Sequence, residues 1–218
     1  MTTTQLTTAP AGPGEIREVK SRQDPALGKV FDIYQKSFPL TEQMLISFFL
    51  DFLTKKEAGE AEQFRLEVLE VEGKVLAFAF YEAGSADGDL GNSAYLWYLA
   101  VNPDMRGGGY GKRMYFHVLN TAFTEFEARA LLYEIETPED VEGEEGKAFA
   151  EWRTGWYRSM GAKALLGTRY MCGVDWQPPV PMQVMVHASG PITAEEALAL
   201  ARATQDEGIE QTGPLSLE

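Results

Sequence analysis

Apolar and polar residues alternate along several short stretches of this chain, a spacing typical of strands with one buried face. Two such runs, Phe64–Val71 and Lys74–Glu82, are separated by Glu72-Gly73, and a two-residue connection containing glycine predicts a β-hairpin. The apolar run Ala94–Val101 predicts a central strand that ends at Asn102-Pro103-Asp104. Further strands are predicted at Glu15–Lys20, Ala130–Glu136, Ala164–Val174 and Met182–Ala188.

Apolar side chains recur every three or four residues elsewhere, which predicts amphipathic helices. Helix-start signals support two of them, a capping aspartate followed by proline and a capping box near the C-terminus. The residues from about Gln205 onward have little to bury. The predicted helices run from Asp24-Pro25 to Ser37, from Thr41 to about Lys55, from about Gly109 to Ala128, over Phe149, Trp152, Trp156 and Met160, and after Thr193 with Glu196.

Strands and helices mixed in this way predict an α+β fold. The chain has 218 residues, enough for one domain with a sizeable core. We expect a disordered lead over residues 1–14, a single domain over 15–190, and a C-terminal helix and tail over 191–218.

The charge balance narrows the possible partners. The net charge is −14, from 19 basic and 33 acidic side chains. Nucleic-acid binding normally requires a basic face, so no nucleic-acid partner is expected. No apolar run approaches the roughly 20 residues that a bilayer requires, so no membrane partner is expected either.

Cysteine usage indicates a reducing compartment. Cys172 is the single cysteine, so an internal disulfide is impossible and a cytoplasmic location is predicted. A nucleophilic role for Cys172 would need His117 or His187 as its base. No ligand spacing for a structural zinc is present, so no metal site is expected.

A glycine-rich segment, Arg106–Arg113, lies between the central strand and the next helix. Successive glycines let several backbone N–H groups point to one spot, and the helix adds its N-terminal dipole there. The side chains of Arg106, Lys112 and Arg113 add positive charge. The segment therefore predicts a phosphate site, but it fits neither a P-loop nor a dinucleotide fingerprint, because Arg113 follows Gly111-Lys112 and no third glycine stands at Lys112.

The pattern R-x-x-G-x-G, formed by Arg106, Gly109 and Gly111 after the strand ending Leu99-Ala100-Val101, resembles the Gcn5-related N-acetyltransferase (GNAT) family. The later segment Trp156–Ala162 resembles the aromatic-Tyr-x-x-x-Gly stretch of that family. The order of elements over 15–188 is similar to the family fold. This resemblance implies a mixed, mostly antiparallel central sheet with a splayed parallel strand pair and flanking helices.

The resemblance also implies an N-acetyltransferase that moves an acetyl group from acetyl-CoA to a primary amine by direct attack. Tyr157 would be the general acid for the leaving thiolate, and Glu134 or Glu136 would accept the proton of the amine. Backbone groups of Leu99–Val101 would pair with the pantetheine. The residues expected to bind the cofactor are Leu99, Ala100, Val101, Arg106, Gly107, Gly108, Gly109, Tyr110, Gly111 and Lys112.

Two departures from the family pattern leave alternatives open. The asparagine that many members carry after the strand equivalent to Leu131–Glu136 is absent, so an acyl-CoA-binding regulatory module without turnover remains an alternative. The acidic stretch Pro138–Gly146 would form a lip that attracts a cationic amine, or a solvated loop. The acceptor is expected to be a small-molecule or peptidyl amine, and a homodimer is compatible with the fold.

Overall fold

A computed structural model describes residues 13–85, 90–174, 177–204 and 208–218. Most of the predicted lead, residues 1–12, lies outside the described residues, and the predicted division into lead, domain and tail stays a prediction. The helices are α1 (Leu27–Ser37), α2 (Ile46–Glu57), α3 (Tyr110–Thr124), α4 (Glu144–Arg158) and α5 (Ala194–Thr204), and the strands are β1 (Glu15–Glu18), β2 (Phe64–Val71), β3 (Lys74–Ser85), β4 (Asn92–Val101), β5 (Ala130–Glu136), β6 (Lys163–Cys172), β7 (Val180–Ala188) and β8 (Glu210–Leu217).

The chain divides into two compact units, and β4 contributes residues to both. The first unit comprises the described residues of Met1–Ala83, Leu96–Thr121 and Val174–Gln177. Its strands pair in the order β1-β2-β3-β4. Antiparallel pairing joins β1 to β2 and β2 to β3. The predicted hairpin turn is confirmed, since Glu72 and Gly73 join β2 to β3 with left-handed φ angles of 51° and 72°.

One hydrophobic cluster of the first unit lies between its sheet and helices α1 and α2. Tyr34 of α1 packs edge-on against Phe49 of α2 and Tyr98 of β4, with ring centroids 5.0 and 4.8 Å apart. Edge-to-face aromatic pairs add to the free energy gained by burial alone. The amphipathic spacing predicted for both helices therefore places their apolar sides against one sheet face.

The second unit comprises the described residues of Gly84–Tyr95, Ala122–Gly173 and Pro178–Glu218. Its strands pair in the order β4-β5-β7-β6-β8. The β4–β5 pairing is parallel, with Ala94 opposite Leu131 and Tyr95 opposite Leu132, while β5–β7, β7–β6 and β6–β8 are antiparallel. The predicted α+β fold, mostly antiparallel with one parallel pair, is confirmed.

Two helix starts were predicted wrongly. Helix α1 begins at Leu27, because Asp24 accepts the Ala26 N–H through its side chain and the Leu27 N–H through its carbonyl oxygen, forming a turn before the helix. Helix α2 begins at Ile46 instead of Thr41. The backbone before it is held by side chains, since Gln43 donates to the Phe38 carbonyl oxygen at 2.6 Å.

Two further helices also differ from the prediction, α3 at its end and α4 at its start. Helix α3 ends at Thr124 rather than Ala128, because Glu127 adopts a left-handed φ of 52°. Helix α4 begins earlier, at Glu144, so part of the predicted acidic loop is helical. Acidic side chains suit this position, because Glu144 and Glu145 face the positive end of the helix dipole.

The last residues were predicted to have little to bury, and this was wrong. They form β8, whose Leu217 pairs with Leu165 of β6. Ile209 just before β8 is fully buried. The predicted capping box of α5 is confirmed, since Glu196 N–H donates to Thr193 Oγ1 and Thr193 N–H donates to the Glu196 carboxylate.

Candidate active site

A glycine-rich turn joins β4 to α3 in the first unit. The Met105 N–H donates to the Asn102 carbonyl oxygen at 2.8 Å and closes a short 3-10 helix over Pro103–Met105. Gly107 and Gly109 follow with left-handed φ angles of 85° and 78°. Side chains rarely adopt this conformation, so the shape of the turn depends on glycine at both positions.

The turn is exposed and leads directly into a helix N-terminus. Residues 104–109 are exposed, and α3 begins at Tyr110. The first N–H groups of a helix have no acceptor within the helix and carry the positive end of its dipole. A phosphate held here would contact those N–H groups. The structure thus brings together, in one continuous turn, Arg106, Gly107, Gly108, Gly109, Tyr110, Gly111 and Lys112.

The three cationic side chains around this turn contact different groups. Arg113 donates to the carbonyl oxygens of Pro13 and Gly14 at 2.6 Å each, so it holds the backbone ahead of β1. Its positive charge stays beside the turn, and its role toward a phosphate stays a prediction. Lys112 is exposed beside the Phe116 ring, and Arg106 is exposed. The side chains of Arg106 and Lys112 are therefore accessible to an anion.

Two consecutive residues of β4 have their rings near α2. Trp97 lies 5.9 Å from Phe48, and the next residue, Tyr98, lies 5.8 Å from Phe49, measured between ring centroids. Consecutive strand residues normally point to opposite faces, and both large rings nevertheless reach α2. The predicted pantetheine-binding residues follow directly, with Leu99 and Val101 partly exposed and Ala100 buried.

In the second unit, Glu134 and Glu136 share one face of β5. Both are partly exposed, while the intervening Tyr133 and Ile135 are buried. This is the alternation that the strand period predicts. The two carboxylates nevertheless have different partners.

The carboxylate of Glu134 accepts hydrogen bonds from two side chains. The Tyr95 hydroxyl donates to Oε2, and the Cys172 thiol lies 3.5 Å from Oε1. From the sequence, Cys172 was considered as a nucleophile with His117 or His187 as its base, and no contact with Glu134 was predicted. Nothing in the local sequence places Cys172 beside Glu134. Strands β5 and β6 are distant along the chain and lie in one sheet on either side of β7.

The carboxylate of Glu136 forms an ion pair with Arg153 of α4. The guanidinium of Arg153 also lies over the Phe149 ring, 4.8 Å from its centroid. The Gln183 amide donates to the Glu136 carbonyl oxygen and to Thr154 Oγ1, each at 3.1 Å. The end of β5 is therefore fastened to α4 and β7.

Tyr157 lies on α4, one turn after Arg153. Its ring centroid is 4.6 Å from that of Tyr133, whose position on β5 alternates with Glu134. Burial raises the pKa of Tyr157 to about 12; Arg153 lowers this pKa and Glu136 raises it. The phenol is therefore protonated at neutral pH and is able to donate a hydrogen bond.

The model of the acetyltransferase (GNAT) family matches residues 27–143, just over half of the 218 residues. The chain belongs to this family. The matched range includes the glycine-rich turn and both glutamates of β5, and Tyr157 lies beyond it. No curated protein matches the sequence.

Solved structures of GNAT proteins share the fold at low identity. A protein from Bacteroides thetaiotaomicron, described as a GNAT-family acetyltransferase, is 22% identical with a TM-score of 0.63, covering 86% of this chain and 95% of its own. A ribosomal-protein-alanine N-acetyltransferase from Brucella melitensis is 20% identical with a TM-score of 0.56, covering 80% and 99%. An acetyltransferase of Salmonella typhimurium, solved with its cofactor acetyl-CoA, is 14% identical with a TM-score of 0.55, covering 83% and 96%.

Glu82 of β3 is not among the site residues predicted from the sequence of this GNAT protein. Trp97 Nε1 donates to Glu82 Oε1 at 2.9 Å within the first unit. Burial raises the pKa of Glu82 to about 7, and the bond from Trp97 acts in the opposite direction. A glutamate at the polar end of an apolar strand is indistinguishable in sequence from a solvent-facing one, and its partner Trp97 lies on another strand, so its burial is not encoded locally.

Over the residues that the structure describes, no helix is long and apolar enough to cross a membrane. The cytoplasmic location stays a prediction.

Proposed function

We propose that this protein transfers the acetyl group of acetyl-CoA to a primary amine by direct attack of the amine on the thioester. The observation that carries the proposal is the turn Arg106–Lys112, a phosphate-binding geometry inside the part of the chain that matches the family. The acetyl-CoA bound to the Salmonella neighbour supports the choice of donor. The fold alone would leave the donor open.

Residues of the first unit bind the acetyl donor. Backbone N–H groups of residues 107–112 hold the pyrophosphate, with Arg106 and Lys112 adding charge-assisted contacts. The backbone of Leu99, Ala100 and Val101 pairs with the pantetheine amides, as an added strand would. A backbone N–H of this part of β4 stabilises negative charge on the thioester oxygen as it develops.

Proton removal from the amine falls to Glu134. An amine attacks only after its ammonium loses a proton, and the ionised carboxylate is a suitable acceptor. Glu136 already balances the charge of Arg153, whereas Tyr95 and Cys172, which both donate to Glu134, are uncharged. The ion pair gives Glu136 a positioning role, because it holds the helix that carries Tyr157.

Tyr157 donates its phenolic proton toward the departing sulfur. Glu134 takes one proton from the ammonium before attack, and the new C–N bond forms as the C–S bond breaks. The thiolate gains the phenolic proton of Tyr157, and the second proton lost by the nitrogen as the amide forms returns to the Tyr157 phenolate. The products are the amide and the free thiol of CoA. A buried phenol that stays protonated at neutral pH is ready for this role.

The acceptor is a small-molecule or peptidyl amine. The Brucella neighbour is named as a ribosomal-protein-alanine N-acetyltransferase, which supports a peptidyl amine as one kind of acceptor. Exposed acidic residues before and at the start of α4 favour a cationic acceptor by long-range attraction. No nucleic-acid or membrane partner is included in the proposal, and a homodimer is compatible with it.

Calorimetry with acetyl-CoA tests the donor site. Gly109→Ala and Arg106→Ala are each expected to weaken binding about tenfold or more. Gly59→Ala is the matched control, because Gly59 has a similar φ of 75° and equally open space around its Cβ position, on an exposed turn elsewhere. Binding that none of these changes weakens would refute the assigned site.

Turnover is measured next, by detecting the free thiol of CoA across a panel of primary amines. Release of thiol that depends on both the amine and Tyr157 supports the reaction. Tight binding of acetyl-CoA with no thiol release for any amine would instead favour a regulatory module that binds acyl-CoA.

A further inference from the structure

Glu82 lies on the apolar, helix-covered face of the first unit's sheet. It follows Phe78 and Phe80 at alternate positions of β3, and both phenylalanines belong to the core under α1 and α2. Across the hairpin it pairs with Phe64 of β2. Directly opposed and alternate residues share a face, so the carboxylate emerges among aromatic side chains.

Four partly exposed rings form an arc beside this carboxylate. Consecutive centroids are 3.9 Å apart for Phe64 and Phe52, 4.5 Å for Phe52 and Phe48, and 5.9 Å for Phe48 and Trp97. One end of the arc, Trp97, donates a hydrogen bond to Glu82, and the other end, Phe64, pairs with it. Aromatic faces carry negative charge density, and together with a carboxylate they attract organic cations.

The carboxylate has no cationic partner within the described part of the chain. Oε1 of Glu82 accepts the hydrogen bond from the Trp97 indole, so Oε2 can accept from another donor. Burial raises the pKa of Glu82 to about 7, so its negative charge is costly in the folded protein. A glutamine would accept the same indole N–H without that cost, so packing alone does not account for a carboxylate here. Groups perturbed in this way concentrate at functional sites.

We propose that Glu82 and Trp97, with the arc of Phe48, Phe52 and Phe64, form the subsite that binds the ammonium group of the acceptor. The inference rests on the proposed acetyl transfer for its meaning as an acceptor site. It also gives a substrate class, an amine whose nitrogen is bonded to an alkyl or aryl group, because aromatic surface favours carbon next to the positive charge. Glu82 binds the ammonium form of the acceptor, and Glu134 takes the proton that must leave before attack.

The position on β4 agrees with this role. Trp97 precedes Leu99–Val101, the segment assigned to the donor, by two residues along β4. An acceptor held by Trp97 and Glu82 is therefore bound within a few residues of the backbone that would hold the thioester. Each two residues of strand span about 6.6 Å.

Calorimetry with 2-phenylethylamine on the full chain tests the subsite directly, at about pH 8, where Glu82 is ionised. We expect Glu82→Gln to weaken binding about tenfold and Trp97→Phe, which keeps the ring and removes the N–H, to weaken it severalfold. The neutral analogue 2-phenylethanol is expected to bind both proteins equally. Glu62→Gln, at an exposed carboxylate of the same unit, is the control expected to leave binding unchanged.

Two results would overturn the inference. One is an amine affinity that neither Glu82→Gln nor Trp97→Phe changes; the other is no binding to the native protein at about 10 mM amine. Thermal melts show whether both variants are folded. If one of the two variants does not fold, the other still tests the subsite.

Acetyl-CoA calorimetry on the same variants separates this inference from the reaction. If the amine binds in a Glu82-dependent way but acetyl-CoA does not bind, the cation subsite is supported and the proposed acetyl transfer is refuted. Acetyl-CoA turnover with an amine affinity that is independent of Glu82 would retain the transfer and reject the subsite.

Discussion

Arg153 of α4 and Glu136 at the end of β5 form an ion pair in which both side chains are largely shielded, 19% and 21% exposed. The pair joins the strand that carries Glu134 to the helix that carries Tyr157. Because Arg153 is one turn before Tyr157, its guanidinium also lowers the pKa of the phenol against the effect of burial. One contact thus influences both the position and the acidity of the proposed acid.

Breaking this ion pair is expected to destabilise the protein. Arg153→Met leaves the carboxylate of Glu136 shielded without its partner, and a loss of about 1–2 kcal/mol in the free energy of unfolding is expected, or roughly 2–8 °C in Tm. A double-mutant cycle with Glu136→Gln measures the coupling, which should be about 1 kcal/mol. Strictly additive losses would show that the two side chains do not interact in solution.

The two glutamates of β5 are expected to differ in catalysis. Glu134→Gln removes the proton acceptor while keeping an oxygen for the Tyr95 hydroxyl, so kcat should fall about 100-fold. Glu136→Gln should lower kcat much less, because its role is to position α4. Steady-state kinetics with a reactive amine measures both. A larger loss for Glu136→Gln would reverse the assignment.

Replacing Tyr157 by phenylalanine should affect the chemical step alone. Tyr157→Phe keeps the ring against Tyr133 and removes only the hydroxyl, so kcat is expected to fall about 100-fold with an acetyl-CoA Kd within about twofold of the native value. Tyr170→Phe supplies a comparison at another tyrosine, on β6. Thiol release at the native rate by Tyr157→Phe would exclude the phenol as the proton donor.

The regular features of this fold could be predicted from sequence, and the exceptions have identifiable tertiary causes. The Glu72-Gly73 hairpin, the Thr193 capping box and the glycine-rich turn before α3 are local features, because each is determined by neighbouring residues. The start of α2 at Ile46 and the burial of Glu82 depend on contacts with distant residues. Gln43 and Tyr98 hold the backbone before α2, and Trp97 covers Glu82. No local periodicity encodes those partners.

The C-terminal strand β8 also depends on contacts that the local sequence does not encode, and the burial of Ile209 before it can be tested by substitution. Ile209 is fully buried although the segment around it is polar, and its carbonyl oxygen accepts a hydrogen bond from Arg202 at 2.9 Å. Ile209→Ala should cost about 2–4 kcal/mol of unfolding free energy, measured by denaturant titration. Thr212→Ala, at an exposed position of β8, is the control and should change stability by less than about 0.5 kcal/mol. Equal effects of the two substitutions would mean that Ile209 is not buried in solution.

The raised pKa of Glu82 predicts how stability changes with pH. The pKa rises from an ordinary value of 4.5 to about 7 because the carboxylate is buried. Between these values the folded protein keeps a proton that the unfolded chain has lost, so the free energy of unfolding contributed by Glu82 falls as pH rises through this window. Glu82→Gln removes the ionisable group, so the free energy of unfolding of this variant does not fall for that reason as the pH rises.

At about pH 8 the Glu82→Gln variant is therefore expected to melt above the native protein, by about 3 °C once partial solvent screening is allowed for. At about pH 4 the carboxyl is mostly protonated in both states, so the two melting temperatures should converge. Glu62→Gln, at an exposed carboxylate, should show a difference that hardly varies with pH. Melting curves of the three proteins at the two pH values provide the measurement. A Glu82→Gln difference of the same size at both would mean that Glu82 ionises as an ordinary surface glutamate, and the packing of Trp97 and Phe64 around it would then be looser than the structure describes.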